Sequence, residues 1–325
     1  MSGLFTSKKV RNYRFKNRII MPPMASEKAT PTGEVTDKTI NYYYERAKEG
    51  LGGVIVEHAF ISEAGRFSKR QLSIAEDSMI DGLSSLASAI KSTGTVAIIQ
   101  LSHAGCEAYH RCKPFSPSGI SIPGKEEINS KKLSIGEISE IKTDFIKAAE
   151  RAMKAGFDGV EIHGAHGYLL NQFNSPLTNH RQDKYGGSRE NRARLSFEIA
   201  QDIREVVQDK LLLYRLGAVD QFEKGLTTPD AIWIAKELVR LGVDIIDISG
   251  GLGGYRGSKN TEGYFVTVAK EINQNLTKPV IVAGGITSPE YANKVVEEEK
   301  IDFVGIGRAI LSRPDWPLSA KKELT

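Results

Sequence analysis

The chain has 325 residues, 40% of them hydrophobic, enough for one large domain or two small ones. Its 44 basic and 40 acidic residues are dispersed and leave a formal charge of only +4, which argues against a nucleic-acid partner. The start, MSGLFTSKKVRNYRF, lacks a signal peptide's apolar run, and no later stretch approaches the roughly 18 apolar residues of a membrane span.

Apolar, β-branched runs then recur along the chain. RIIMPPM (Arg18–Met24), GVIVEHA (Gly53–Ala59) and VAIIQLSH (Val96–His103) come first. GVEIHG (Gly159–Gly164), LLLYRLG (Leu211–Gly217) and DIIDISG (Asp244–Gly250) follow, then PVIVAGG (Pro279–Gly285) and FVGIGR (Phe303–Arg308). Between them lie stretches of helical period such as SEIKTDFIKAAERAMKAG and TPDAIWIAKELVRLG, each closed by glycine, the usual C-terminal helix stop. Eight strands alternating with helices predict an α/β fold, a (β/α)8 TIM barrel, as a single domain over residues 1–325. An open dinucleotide-binding sheet would carry G-x-G-x-x-G after its first strand; here that turn reads PPMAS. Long irregular stretches, about 104–135 and 165–190, follow the third and fourth strands, where a barrel would place them over its C-terminal face. The only cysteines, Cys106 and Cys112, fall in the first of these. Two thiols make neither a disulfide framework nor an iron–sulfur site of about four ligands, so a soluble, cytoplasmic chain is expected.

Inward barrel residues should be apolar unless they serve a site. The strand ends instead carry Met24 and Ala25, His58, Gln100 with His103, His163, Arg215, Ser249, Gly284 with Gly285, and Gly307 with Arg308. Glycines after the last two strands let backbone N–H groups approach a phosphate, and Arg308 adds a forked charge; plain tight turns are the alternative. Arg215, embedded in an apolar strand, needs an anion. Either a neighbouring carboxylate or the electron-rich edge of a flavin would serve, and Gln100 could donate to and accept from the same ring.

The densest group is EIHGAHGYLLNQF, residues 161–173. Small residues between His163, His166 and Tyr168 allow a sharp turn that aims all three side chains at one cavity. Two imidazole N–H groups suit a carbonyl oxygen gaining charge, and a phenol suits proton delivery to carbon. A metal site would want a third ligand, and no carboxylate stands at zinc-like spacing. A core histidine pair is the remaining alternative.

Together these residues resemble the Old Yellow Enzyme family of FMN-dependent ene-reductases, from FKNRIIMPPM to GIGRAILSRPDWP. The most specific stretch is residues 161–195, where an H-x-x-[HN]-x-Y trio precedes SP-x-x-N-x-R-x-D-x-YGGS-x-ENR. This resemblance implies that His163 and His166 hold the substrate's activating oxygen and that Tyr168 donates the proton. It implies FMN held by Pro23, Met24, Ala25, Gln100 and Arg215 at the ring and by Gly284, Gly285, Gly307 and Arg308 at the phosphate. His58 joins the flavin-lining set, although it stands where a small residue is usual. The implied cycle is ping-pong. NADPH or NADH reduces FMN, and an α,β-unsaturated carbonyl or nitro compound then takes hydride at Cβ.

Some positions depart from the family pattern. Ala25 replaces a Cys or Thr that would bond near the flavin, and Cys106 replaces a common Arg. The sequence stops at Thr325, without the Cys-rich cluster and second nucleotide-binding domain of the long relatives. An FMN dehydrogenase running in the oxidising direction, or an electron carrier serving a partner, is the rival. An amine substrate would prefer carboxylates or an aromatic cage to two histidines, and a carrier needs no proton donor. Small molecules are the expected partners, with neither nucleic acid nor membrane, and a homo-oligomer is left open.

Overall fold

The computed structural model describes residues 2–109, 114–254 and 261–324; Cys112 lies outside them. Eight parallel strands close into a barrel: β1 (Ile19–Met21), β2 (Gly53–Phe60), β3 (Val96–Ser102), β4 (Gly159–Gly164), β5 (Leu211–Gly217), β6 (Ile245–Ser249), β7 (Val280–Ala283) and β8 (Phe303–Gly305). Each strand pairs with its neighbour in sequence, and β8 pairs with β1. β4 and β5 span the residues read from the sequence. β1, β7 and β8 are shorter, because Pro22 and Pro23 lack the N–H that would continue the β1 ladder and the glycines after β7 and β8 turn the chain away.

Alternation along each strand divides two cores. Ile19, Val54, Val56, Ile99, Val160, Ile162, Leu212, Tyr214, Ile246, Ile248, Val280 and Val304 face outward and pack into the large cluster beneath the helices. Ile20, Ile55, Val96, Ile98, Leu211, Leu213, Ile245, Ile281 and Phe303 fill the barrel's interior. A hairpin pairing Lys8–Val10 with Tyr13–Phe15 closes the barrel's N-terminal end, its Phe15 ring 4.8 Å from Phe303.

The surrounding helices are signalled locally. α1 (Asp37–Ala47), α3 (Ile135–Lys154) and α6 (Thr228–Arg240) start at reciprocal capping boxes from Thr36, Ser134 and Thr227. α2 is Ile80–Lys91, α4 the short Leu169–Asn174, α5 Arg189–Val207, α7 Val266–Asn273, α8 Pro289–Glu297, α9 Arg308–Ser312 and α10 Trp316–Leu324. Among the described residues no helix is long and apolar enough to cross a membrane.

The excursions after β3 and β4 do cover the C-terminal end. Cys106, Ile122 and Leu252 form a small apolar cluster there with Leu177 and Phe222 alongside, and burial pushes the Cys106 thiol up to about 12. The residues of the family signature build this cap. Arg181 lies buried, forked onto Asp183 at 3.0 and 2.7 Å, and donates to the carbonyls of Pro117 and Leu133. Asn179 donates to the Phe173 and Tyr185 carbonyls. Gln172 donates to the Ala104 and Gly167 carbonyls and accepts from the Cys106 N–H, tying one excursion to the other. Asp220 accepts from Ser175, Leu226 and Leu252, anchoring the loops after β4, β5 and β6.

Candidate active site

The inward rows turn polar towards the C-terminal end of four adjacent strands. β3 runs Val96, Ile98, Gln100; β4 runs Gly159, Glu161, His163; β5 runs Leu211, Leu213, Arg215; β6 runs Ile245, Asp247, Ser249. In register, Gln100 sits beside Glu161, and Arg215 lies between His163 and Asp247.

The trio expected to converge does so. Ring centroids lie 5.0 Å apart for His163 and His166, and 4.6 Å apart for His163 and Tyr168. His166 adopts φ 61 and Gly167 φ 76, two consecutive left-handed residues that reverse the chain within this short segment. The His166 N–H donates to the Gly250 carbonyl at 2.9 Å, and its Nε2 shares a 2.7 Å hydrogen bond with Ser249 Oγ. In His163 the Ala165 N–H donates to Nδ1 at 3.3 Å, so that ring carries its proton on Nε2 as a donor. Burial holds both imidazoles well below the ordinary histidine range, reinforced by Arg215 and His58. Both are neutral near pH 7.

Beneath them sits a charged group whose carboxylates sequence reading missed. Arg215 is buried, and among the described residues its one ionic contact is Asp247 at 3.2 Å, too poorly aligned to be a hydrogen bond. Its Nε is buried without a hydrogen-bond partner, and the guanidinium makes no hydrogen bond among the described residues. Burial raises Asp247 to about 6 against the pull of Arg215. Burial and the Asp247 charge together hold Glu161 well above the usual carboxylate range. Gln100 donates one of its two amide N–H groups to Glu161 at 2.8 Å, which leaves the other N–H and the carbonyl oxygen for an outside partner.

Pro23 and Met24 are half-buried and Ala25 exposed in the loop after β1. Glu57, also missed, holds that loop: it accepts from the Ser26 N–H at 2.9 Å, from the Ser26 hydroxyl, and from Tyr43 at 3.2 Å. A register shift in β2 between Val56 and Ala59 lets Glu57 reach outward while the next residue, His58, turns towards the mouth. Its ring lies 5.7 Å from Tyr168 and 6.4 Å from His163. Phe67, 5.4 Å from Tyr168, adds an aromatic wall that the sequence did not flag.

On the β7–β8 side, Gly285 has φ 72, and a Cβ there would stand 2.8 Å from the Tyr264 ring. A Cβ on Gly307 would lie 3.2 Å from Met24 Sδ, so the loops after β8 and β1 adjoin. Arg308 opens α9, is exposed, and joins no ion pair among the described residues. A flavin mononucleotide fits this donor set, with Arg215 and the Gln100 carbonyl at the ring and glycine backbone with Arg308 at the phosphate. Among the described residues no three His, Cys, Asp or Glu side chains gather as metal ligands.

Comparison with known proteins places these features in company. Residues 3–325 match the sequence profile of the NADH:flavin oxidoreductase / NADH oxidase family. An NADPH dehydrogenase of Geobacillus sp. (strain WCH70) is 39% identical over 322 residues, covering 99% of this chain and 94% of its own. An NADH oxidase of Thermoanaerobacter brockii is 38% identical over 335 residues, covering 98% of this chain, which spans only 51% of that longer protein. The structure of an old yellow enzyme homologue from Zymomonas mobilis superposes with a TM-score of 0.87 at 26% identity, over 99% of this chain and 93% of that one.

Proposed function

The chain belongs to the NADH:flavin oxidoreductase / NADH oxidase family, whose members act through FMN and NADH or NADPH, and we propose that it reduces the activated C=C bond of α,β-unsaturated carbonyl or nitro compounds in a ping-pong cycle. When bound, FMN supplies the two-electron carrier between nicotinamide and acceptor.

The observation that carries this reading is the convergence of His163, His166 and Tyr168 above the unsatisfied guanidinium of Arg215. Arg215 and Gln100 hold the ring's polar edge; Pro23, Met24 and Ala25 line it; Gly284, Gly285, Gly307 and Arg308 hold the phosphate. The neutral His163 ring presents Nε2–H to the substrate's carbonyl or nitro oxygen, where negative charge grows as the alkene is reduced. His166, braced by Ser249, completes the pair. Tyr168, fixed as the residue before α4 and packed on His163, holds the proton that reaches Cα. The phenol also sets this reading apart from a bare electron carrier, which has no use for a carbon-directed acid.

Purified holoprotein tests the reading. Heat-released cofactor should run as FMN, NADPH or NADH should bleach the flavin anaerobically, and cyclohexenone should restore its colour. Stoichiometric FAD, or reoxidation by oxygen alone, would overturn it.

A further inference from the structure

His58 carries a second instruction in the same pocket. Gln71, buried behind it, is pinned at both ends of its amide. The Phe67 N–H donates to Gln71 Oε1 at 2.6 Å, which fixes that atom as the oxygen. Gln71 Nε2 then lies 2.8 Å from the His58 carbonyl and 2.6 Å from His58 Nδ1. A carbonyl can only accept, so Nε2 is confirmed as the nitrogen from two independent directions. Nδ1 must therefore accept as well, and the His58 proton resides on Nε2. That atom makes no hydrogen bond among the described residues, nor is it sealed from solvent. Its ring stands edge-on to Tyr168, His163 and Phe67, 5.7 Å from Tyr168 and 6.4 Å from His163.

We propose that His58 is a specificity-determining residue: a Gln71-locked Nε2–H donor that binds a second acceptor oxygen of the substrate, so that the pocket favours alkenes flanked by two carbonyl or carboxyl groups over those bearing one. The proposal rests on the ene-reductase reading and deepens it. His163 and His166 take the activating oxygen. His58, its ring 6.4 Å from that of His163, takes the other, so the alkene is oriented by two fixed points rather than one. Burial, helped by Arg215, pushes His58 down to about 4, so the ring stays a neutral donor over the working pH range.

The test uses oxidised holoenzyme and two phenols that bind without turnover, 4-hydroxyacetophenone with a para acceptor oxygen and 4-ethylphenol without one. Their dissociation constants come from the flavin absorbance change in wild type, His58→Phe and His58→Gln. Phenylalanine keeps a ring against Tyr168 but loses the donor; glutamine restores a donor, and thermal melts report folding of each. The ratio favouring the acetophenone should fall about three- to tenfold in His58→Phe, the range of one neutral hydrogen bond, and recover in His58→Gln. The kcat/KM preference for N-methylmaleimide over cyclohexenone should move the same way. A ratio unchanged in His58→Phe would overturn the proposal. So would equal weakening of both phenols with a shifted ligand-free flavin potential, which would place the donor on the cofactor. If His58→Phe fails to fold, a ratio in His58→Gln below that of Phe67→Leu, which keeps the donor, overturns it equally. Wild-type protein that takes up FMN but no phenol would instead sink the underlying reading.

Discussion

Glu57→Met isolates a residue that touches neither substrate nor the proposed cofactor. Glu57 is buried at the outward side of β2, where three donors meet its carboxylate: the Ser26 N–H, the Ser26 hydroxyl and the Tyr43 hydroxyl. Two of the three fasten the loop that carries Pro23, Met24 and Ala25. Hydrogen bonds to a charged acceptor contribute about 1.5–3 kcal/mol each, so the two on Ser26 set an upper limit of roughly 3–6 kcal/mol. Ser26 is half-exposed and can turn to water, and burial has already raised Glu57, so part of that energy offsets desolvation. A net loss of about 2–3 kcal/mol in loop closure remains. Methionine keeps the volume and removes the acceptors. If FMN binds only to the closed loop, its dissociation constant rises by up to roughly 30- to 150-fold. Titrating apoprotein with FMN by fluorescence quenching measures this, while the reconstituted flavin spectrum should match wild type. Glu57→Met that holds FMN as tightly as wild type would refute the claim that this loop forms a wall of the flavin site.

Arg308→Ala should weaken FMN retention by roughly 10- to 100-fold, the loss of one charge-assisted contact of about 1.5–3 kcal/mol, while chemistry at saturating FMN changes little; equilibrium dialysis decides it. The stability contributed by two buried neutral histidines should fall on acidification below pH 6.5, against an opposite contribution from Asp247 and Glu161, whose raised carboxyls take up protons in the folded chain first. His58 and His103 are both pushed down to about 4 by burial, so between pH 6.5 and 4 the unfolded chain binds protons that the folded one refuses. Each then costs on the order of 3 kcal/mol by pH 4. Relative to wild type, His58→Phe should gain denaturant midpoint on going from pH 7 to pH 5; an equal change in both proteins would contradict the burial argument.

The eight strands and the polar rim were legible because inward and outward residues alternate, and an inward polar residue breaks an otherwise apolar row. That same rule marks Glu161, two before His163, and Asp247, two before Ser249, each one inward step below the polar strand end. Glu57, Phe67 and Gln71 gave no such signal. The first reaches its partners through a register shift, and the other two belong to the irregular segment after β2, whose path depends on Arg66 bonding to the carbonyls of Pro31, Ser68 and Lys69. The long signature after Tyr168 was the strongest pointer to family, yet Asn179, Arg181 and Asp183 serve the cap and never reach the site. Motif strength and chemical role are separate matters here.

The central claim is that Tyr168 delivers a proton to carbon, and stopped-flow kinetics of Tyr168→Phe test it most directly. The substitution removes one hydroxyl and leaves the ring against His163, His58 and Phe67. Reduction of the bound FMN by NADPH or NADH needs nothing from that hydroxyl and should stay near the wild-type rate. Reoxidation by cyclohexenone should slow by roughly 10²–10⁴-fold, the usual worth of a positioned general acid, while reoxidation by oxygen persists. Equal cyclohexenone reoxidation in variant and wild type would contradict the account and leave an electron carrier in its place.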